Sequence, residues 1–597
     1  MINKYFNSFT TVITKPISGN ILFFLMMYVL GMFTTFLHVH TFNFKIPRIN
    51  FLTWVFDLYL LCIILTLLPR KIRTYSHLLI TLFLYFFAII DAFCVEKFRA
   101  RFGFEILNVI LETNPRESSE FVNKYIGLDV LLSSVGIIFL LIIFHYLLLL
   151  RNRKLNNFFD QLFKSQAIRI LVTVIIIASI ILSSPCRKSF VDFLCSDDLE
   201  SADEYINNKS FNTPVNNLFF GMKMRQLANK QIGKMAEYQR TVRVDSCSYT
   251  TPQIVLIIGE SYIKRHSQLY GYKKETTPRQ LLRTQEDSDG KLIAFTDVVS
   301  TANLTSIFFK NAFSFHSVDS TNDWSESALF PIVFRLSGYT VFFITNQFVK
   351  SITLDIFNAS GGLFLNDNRI DTIQFDHRNT ISHQYDAELL ADYDSLKQFR
   401  GQYNLIIFHL AGQHIDFYER SPDNHKKFLA NDYIYRTDLN DSERQTIADY
   451  DNATLYNDFV VNAIIEEFKE ENAVVIYMSD HGEECYDNLH RMGRLPKGIY
   501  SPEMVKNEYE IPFWIWCSEQ YLQQHPDIFQ QIIQASNRPF MTDDLPHLLV
   551  YLAGISYHEY DESRNILSHN FNIHRKRLLN GEVNYDSIMI KQKPSNL

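Results

Sequence analysis

The run AVVIYMSDHGEE (473–484) decides how this chain is read. Six β-type, largely apolar residues lead to Ser479 and then directly to Asp480, His481, Gly482, Glu483 and Glu484. A strand with no polar alternation is buried on both faces, as in sheets covered by helices on either side. The runs IVLII (254–258), TVFFIT (340–345) and LIIFHL (405–410) have the same character. Between them lie segments such as YDNATLYNDFVVNAIIEEFKE (450–470), which carry helical periodicity. The pattern predicts an α/β domain with a mostly parallel central sheet, whose ligands sit outside the carboxyl ends of the strands.

The reactive side chains fall at those ends. IVLIIGES delivers Glu260, LIIFHLAGQH delivers His409 and His414, and the opening run delivers Asp480 and His481. Carboxylates with imidazole suit Zn²⁺, and such a set also accepts Mn²⁺ or Mg²⁺. A lone Asp or His at a strand end is usually a cap or turn residue. His409, flanked by apolar residues, reads as part of the core. An SDHGEE run after a buried strand has no such bland explanation.

Outward from this domain the chain changes character. Its mean hydropathy of −0.04 averages two unlike parts. Five apolar segments near 20–38, 51–68, 76–94, 127–150 and 166–184 have the length and low charge of membrane spans. Asp57, Asp91 and Asp129 lie inside or near span ends, and Arg169 is placed to snorkel. Four more spans follow the first, so that segment is not read as a cleaved signal peptide. Basic residues at 4, 15, 70–73 and 151–164 favour an internal N-terminus, which places the large domain outside the cytoplasm. The organisation is therefore a transmembrane part (1–185), a linker with an interfacial helix (186–250) and a catalytic domain (251–597). The connector FRARFGFEILNVILETNPRESSEF (98–121) puts Asn114 and Glu117 where lipid headgroups sit. Of the seven cysteines, Cys186 and Cys195 are spaced to close a small loop after the last span. A net charge of −7 gives no basic footprint for nucleic acid.

Six stretches carry a specific resemblance. They are IIGESYIKRHSQLYGYKKETTP (257–278), FITNQ (343–347), HLAGQHIDFY (409–418), YDNATLYNDF (450–459), MSDHGEECYD (478–487) and IPFWIW (511–516). In this order, and behind five spans, they resemble the phosphoethanolamine transferases of the alkaline phosphatase and sulfatase superfamily. The resemblance implies that Glu260, Asp480 and His481 hold Zn²⁺, one ion or two, ahead of Mn²⁺ or Mg²⁺. It implies a nucleophilic threonine in FTDVVSTANLTSIF (295–308), where Thr305 has the matching spacing and Thr301 competes. Leu304 departs from the usual polar residue before that threonine. His414 matches a histidine near the substrate, His490 in LHRMGR is a second partner, and Asn346 matches a position near the active site. His266 and Tyr270 read as structural.

A threonine hydroxyl needs activation, which direct coordination of Thr305 to the divalent cation supplies. The implied reaction moves phosphoethanolamine from a phospholipid, phosphatidylethanolamine first, through Thr305 to lipid A or another lipopolysaccharide or glycan group. It implies a multi-pass protein of the bacterial inner membrane with a periplasmic catalytic domain. A glycerol-phosphate transferase, or a phosphodiesterase or sulfatase-like hydrolase, uses the same scaffold, although no Cys/Ser-x-Pro-x-Arg motif is present. An inactive membrane-anchored sensor or binding module would not need Glu260, Thr305, Asp480 and His481 together.

Overall fold

The computed structural model describes residues 2–42, 49–98, 127–196, 214–285, 288–349, 364–415, 417–494 and 500–590. Asn114 and Glu117 lie outside them. The chain divides into two compact units, Met1–Gln231 and Ile232–Leu597.

The first unit is helical among the described residues: α1 (Ile2–Ser18), α2 (Ile21–Phe42), α3 (Ile49–Leu67), α4 (Arg70–Phe98), α5 (Ser134–Leu150), α6 (Asn152–Lys164), α7 (Gln166–Leu182) and α8 (Ser184–Cys195). Two stretches, Ile21–His38 and Lys71–Lys97, are long and apolar enough to cross a membrane. A third candidate arises if α5 and the following Leu155–Lys164 form one span bent by 80°. Phe51–Leu67 and Gln166–Leu182 are apolar but shorter. At 1.5 Å per residue, 17 residues of the latter reach about 25 Å, against a hydrocarbon layer of about 30 Å.

Charged groups in these helices find partners. Asp91 on α4 meets His38 of α2 at 2.6 Å, with both side chains fully buried. Asp57 lies 3.5 Å from Arg187. Arg169 donates to the carbonyls of Phe163 and Lys164 at the end of α6. The small loop expected between Cys186 and Cys195 does not form. Both belong to α8, where nine residues separate them by about 13 Å, beyond the reach of a disulfide, and Cys195 is free.

Helix α9 (Pro214–Thr241) runs across the unit boundary. Its last turns bury Ile232, Met235 and Ala236 in the core of the second unit. That unit is built on a seven-stranded sheet: β1 (Gln253–Gly259), β2 (Lys291–Ala294), β3 (Thr340–Thr345), β4 (His377–Arg378), β5 (Asn404–His409), β6 (Ala473–Ser479) and β7 (Phe513–Cys517). The spatial order is β2-β7-β6-β1-β5-β3-β4. The sheet is mixed: β7 runs antiparallel to both β6 and β2, and the other four pairings are parallel. Nothing in a fully buried apolar strand such as FWIWC announces its direction, so the reversal was not legible in sequence.

Period-two alternation fills both faces of the sheet. Ile254, Leu256, Ile258, Val474, Ile476 and Met478 face one core with α10 (Thr305–Phe313), which contributes Phe308, Phe309, Ala312 and Phe313. Val255, Ile257, Val475 and Tyr477 face the other with α11 (Asp441–Phe468), which contributes Val460, Val461, Ile464, Ile465 and Phe468. Helix α11 opens with a capping box. Asn440 accepts from the Glu443 N–H, and the Glu443 carboxylate accepts from the Asn440 N–H.

Candidate active site

Register brings the reactive residues together. Strand β1 pairs with β5 on one side and β6 on the other, with Ile258 opposite His409 and Gly259 opposite Ser479. The residues that follow each strand therefore emerge side by side. Asp480 N–H donates to the Gly259 carbonyl, and Asp480 Oδ1 accepts from Ser261 N–H at 2.9 Å. Ser261 turns the chain in the left-handed region at φ +54°, and its hydroxyl donates to Glu260 Oε1 at 2.7 Å. Two glycines permit this crowding. A Cβ on Gly482 would lie 1.9 Å from the Asn507 carbonyl oxygen, and one on Gly412 would lie 2.9 Å from the Glu260 nitrogen.

Thr305 is the first residue of α10, so its hydroxyl sits at the positive end of a nine-residue helix. Its Oγ1 donates to Glu260 Oε2 at 3.2 Å and lies 3.3 Å from His481 Nε2. His481 Nε2 is 3.1 Å from Asp480 Oδ2 and 3.7 Å from Glu260 Oε1. With the Gly482 carbonyl accepting from His481 Nδ1 at 2.8 Å, the proton stays on Nδ1 and the Nε2 lone pair faces the cluster.

Two carboxylates buried face to face cannot both hold charge cheaply. Burial and then the Glu260 charge push Asp480 well above the usual carboxylate range. Burial opposes charge on Glu260 too, but His414, Arg494 and a hydrogen bond from Gln347 outweigh it and hold Glu260 low. Burial, followed by Arg494, lowers His481 to about 3, so the imidazole is neutral at physiological pH. Asp480 Oδ2 is buried and accepts no hydrogen bond. Glu260, Asp480 and His481 each offer a donor atom within 4.8 Å of the others. Two carboxylates, an imidazole lone pair and a hydroxyl form a donor set that fits a divalent cation.

The other expected residues are placed less centrally. His414 is half-buried on the turn after β5, close enough for its charge to bear on Glu260 and His481. Asn346 does not reach the cluster. It donates to Asp386 Oδ1 at 2.8 Å and accepts from His383 N–H at 2.6 Å. Asp386 in turn accepts from the Ala411 and Gly412 N–H groups, so this pair fastens the β5 turn. His490 is not brought to the cluster either. Its side chain is 62 % exposed and faces Glu443 at 3.3 Å, near the start of α11. Thr301 is buried elsewhere, accepting from Asn311 Nδ2 at 3.1 Å. His409 packs among Phe309, Phe343 and Phe348 with Nδ1 3.0 Å from the Thr345 hydroxyl, and burial lowers it to about 3.

Two site residues went unnoticed in the sequence. Gln347, beside Asn346, donates to Glu260 Oε2 at 3.0 Å and to the Leu410 carbonyl at 2.8 Å. Arg494, four residues after His490, places Nη1 2.5 Å from His481 Nε2. Both lie in runs already quoted, FITNQ and LHRMGR, but spacing alone does not say which polar side chain of a loop turns inward.

The family model described as Sulfatase matches residues 252–555, just over half of the chain. Phosphoethanolamine transferase EptC of Escherichia coli K12 is 28% identical over 490 residues, covering 79% of this chain and 78% of that protein. Phosphoethanolamine transferase EptA of Helicobacter pylori is 30% identical over 285 residues, 47% of this chain and 50% of that protein. In fold, the integral membrane lipooligosaccharide phosphoethanolamine transferase A of Neisseria meningitidis aligns over 91% of this chain and 97% of its own, with a TM-score of 0.54 at 18% identity. The chain thus belongs to the sulfatase family, and its resemblance to the phosphoethanolamine transferases of that superfamily is shared by its relatives along most of its length.

Proposed function

We propose that this protein transfers phosphoethanolamine from a phospholipid, phosphatidylethanolamine first, to lipid A or another lipopolysaccharide or glycan group through a covalent intermediate on Thr305. The observation that carries the reading is the Thr305 hydroxyl held between Glu260 and His481 at a helix N-terminus. Glu260, Asp480, His481 and Thr305 are the residues that would hold a divalent ion, Zn²⁺ by the character of the donors. Such an ion supplies Lewis-acid stabilisation of phosphoryl charge and favours ionisation of the hydroxyl.

The protein's own groups do the rest. Thr305 Oγ1 forms a bond to phosphorus while the bond to the diacylglycerol oxygen breaks. His414, at the half-buried rim, protonates the departing alcohol and is reprotonated by the proton that Thr305 gives up, so the net proton leaves with diacylglycerol. An acceptor hydroxyl or phosphate then attacks phosphorus, the bond from phosphorus to Thr305 Oγ1 breaks, and the acceptor's proton returns to Thr305. Incubation with a phosphatidylethanolamine analogue should release diacylglycerol without acceptor and add the mass of one phosphoethanolamine to the peptide 295–310. Thr305→Ala should abolish both events. Thr301→Ala should leave the adduct intact, because Thr301 touches neither carboxylate nor imidazole of the cluster. Rapid hydrolysis to free phosphoethanolamine, with no acceptor ever modified, would instead favour a phosphodiesterase.

The membrane reading extends to five spans, with Phe51–Leu67 and Gln166–Leu182 as the short ones at the lower end of spanning length. Lipid donor and lipid-held acceptor both favour a catalytic unit tethered at that surface, where effective concentration is high. In this arrangement residues 70–73 and 151–165 face the cytoplasm and the second unit faces the periplasm. Asn431 is exposed, so Asn431→Cys should react with an impermeant maleimide in intact spheroplasts. Protection of that cysteine until the membrane is permeabilised would reverse the topology.

A further inference from the structure

Arg494 has a position that neither the fold nor the metal cluster requires. Its Nη1 lies 2.5 Å from His481 Nε2 and donates to the Asn303 carbonyl at 3.2 Å, two residues before Thr305. Its Nε is 3.4 Å from Glu483 Oε2. The guanidinium therefore bridges the loop that carries the nucleophile and the loop that carries Asp480 and His481. A buried arginine that served only to hold two loops would have its charge closed off. Here a quarter of the side chain stays exposed, so one edge remains open to what enters the site.

We infer that Arg494 is a catalytic residue that grips the non-bridging oxygens of the phosphoryl group during its passage on and off Thr305, an inference that rests on the transfer reaction proposed above. A phosphodiester brings one negative charge to the site, and charge builds on those oxygens as the Thr305 Oγ1–phosphorus bond forms and the bond from phosphorus to the diacylglycerol oxygen breaks. The threonine proton leaves with the diacylglycerol, and Arg494 exchanges none. A planar fork of N–H donors matches two phosphoryl oxygens at once, which no half-buried imidazole can do. Against burial, Glu483, 3.4 Å from Nε, and Glu260 keep the guanidinium charged.

The contact with His481 gives this inference a signature. Nε2 has one lone pair, which either accepts from Arg494 or ligates a cation. Cation binding and the Arg494–His481 hydrogen bond are therefore alternatives. Once released, Nη1 is free for the phosphoryl group while Glu483 and the Asn303 carbonyl keep the side chain at the site. Removing Arg494 should thus affect metal and phosphoryl binding in opposite directions.

The test uses full-length protein in detergent, comparing wild type with Arg494→Ala and Arg494→Lys. Three quantities are read: zinc affinity against a chromophoric chelator, orthovanadate binding to the zinc-loaded protein by calorimetry, and single-turnover release of diacylglycerol from fluorescent phosphatidylethanolamine. Arg494→Ala should bind zinc as tightly as wild type or more tightly, bind vanadate at least about tenfold more weakly, and release diacylglycerol about 100-fold more slowly. Arg494→Lys should recover part of the vanadate affinity and rate. Retained zinc affinity also shows that the variant has folded around its site. Vanadate binding in Arg494→Ala within about threefold of wild type, or a rate defect that disappears once zinc saturates, overturns the inference. Wild type that binds vanadate but releases no diacylglycerol would refute the lipid reaction instead, and the vanadate comparison would still decide Arg494.

Discussion

Asp480→Asn is expected to lower transfer at least about 100- to 1000-fold while leaving the second unit as stable as wild type, or more so, in the presence of chelator. The substitution is nearly isosteric. Asn Oδ1 can keep the hydrogen bonds that Asp480 Oδ1 accepts from Ser261 N–H at 2.9 Å and His481 N–H at 2.7 Å. At the Oδ2 position, an unpartnered carboxylate oxygen facing Glu260 and His481 becomes an N–H donor. That change relieves repulsion between two buried carboxylates and offers Glu260 a hydrogen bond, so stability without metal should not fall. The same change removes one charged donor from the cation site, so bound zinc should drop. This opposition between function and stability marks a site assembled at the expense of its surroundings. Thermal unfolding in chelator, zinc content after dialysis and single-turnover transfer check the three parts. Full activity of the wild type after exhaustive chelation would remove the metal from the reaction, and full activity of Asp480→Asn would remove Asp480 from the site.

The second large effect is on stability and comes from His266. Its Nδ1 lies 2.5 Å from Asp451 Oδ1 on α11, and its Nε2 lies 3.0 Å from Asp487 Oδ1, six residues after His481. Tyr272 and Tyr433 both donate to the second oxygen of Asp451. Burial alone would lower the imidazole, but Asp487 and Asp451 outweigh it and raise it from 6.5 to about 10. A folded value above the unfolded one stabilises the folded state fully below about pH 6.5, and the contribution fades as pH rises toward about 10. His266→Ala leaves two carboxylates without their shared cation and should cost about 3–5 kcal/mol near neutral pH. The gap between wild type and variant should narrow steadily from pH 7 to pH 10. Denaturant unfolding across that range measures it, and a gap that widened with pH would show that His266 is neutral in the folded protein.

How much of this was legible follows from which forces act locally. The strands β1, β3, β5 and β6 were readable because each is a short apolar run with a reactive residue at its end. Glu260, Asp480 and His481 were readable for the same reason, since register converts positions at strand ends into neighbours. Thr305 required the spacing of a whole loop, because nothing in VVSTANLTS distinguishes one hydroxyl from another until the helix begins. His490 and Arg494 show where such reading stops. They share one short run, and only the tertiary path of the loop turns the arginine inward and leaves the histidine against Glu443. Asn346 and Gln347 exchange roles in the same way, by one residue. The short helices α3 and α7 illustrate a different limit: apolar composition was clear in both, but the helix ends that set their length depend on local turns.

The position of β1 at the middle of the sheet has a consequence for how the molecule is made. Its neighbours β5 and β6 begin about 150 and 220 residues later in the chain. At synthesis rates of about 5–20 residues per second, β1 waits roughly 10–40 s for its second neighbour to exist. Until β5 exists an almost wholly apolar strand has two open edges, and one stays open until β6 docks, the arrangement most prone to pairing with the wrong chain. Glu260 meets Asp480 and His481 only when β6 docks, so the reactive centre closes among the last contacts of folding. A chain interrupted anywhere before residue 479 would therefore lack Asp480 and His481, and the open edge of its β1 would be a target for chaperones and proteases.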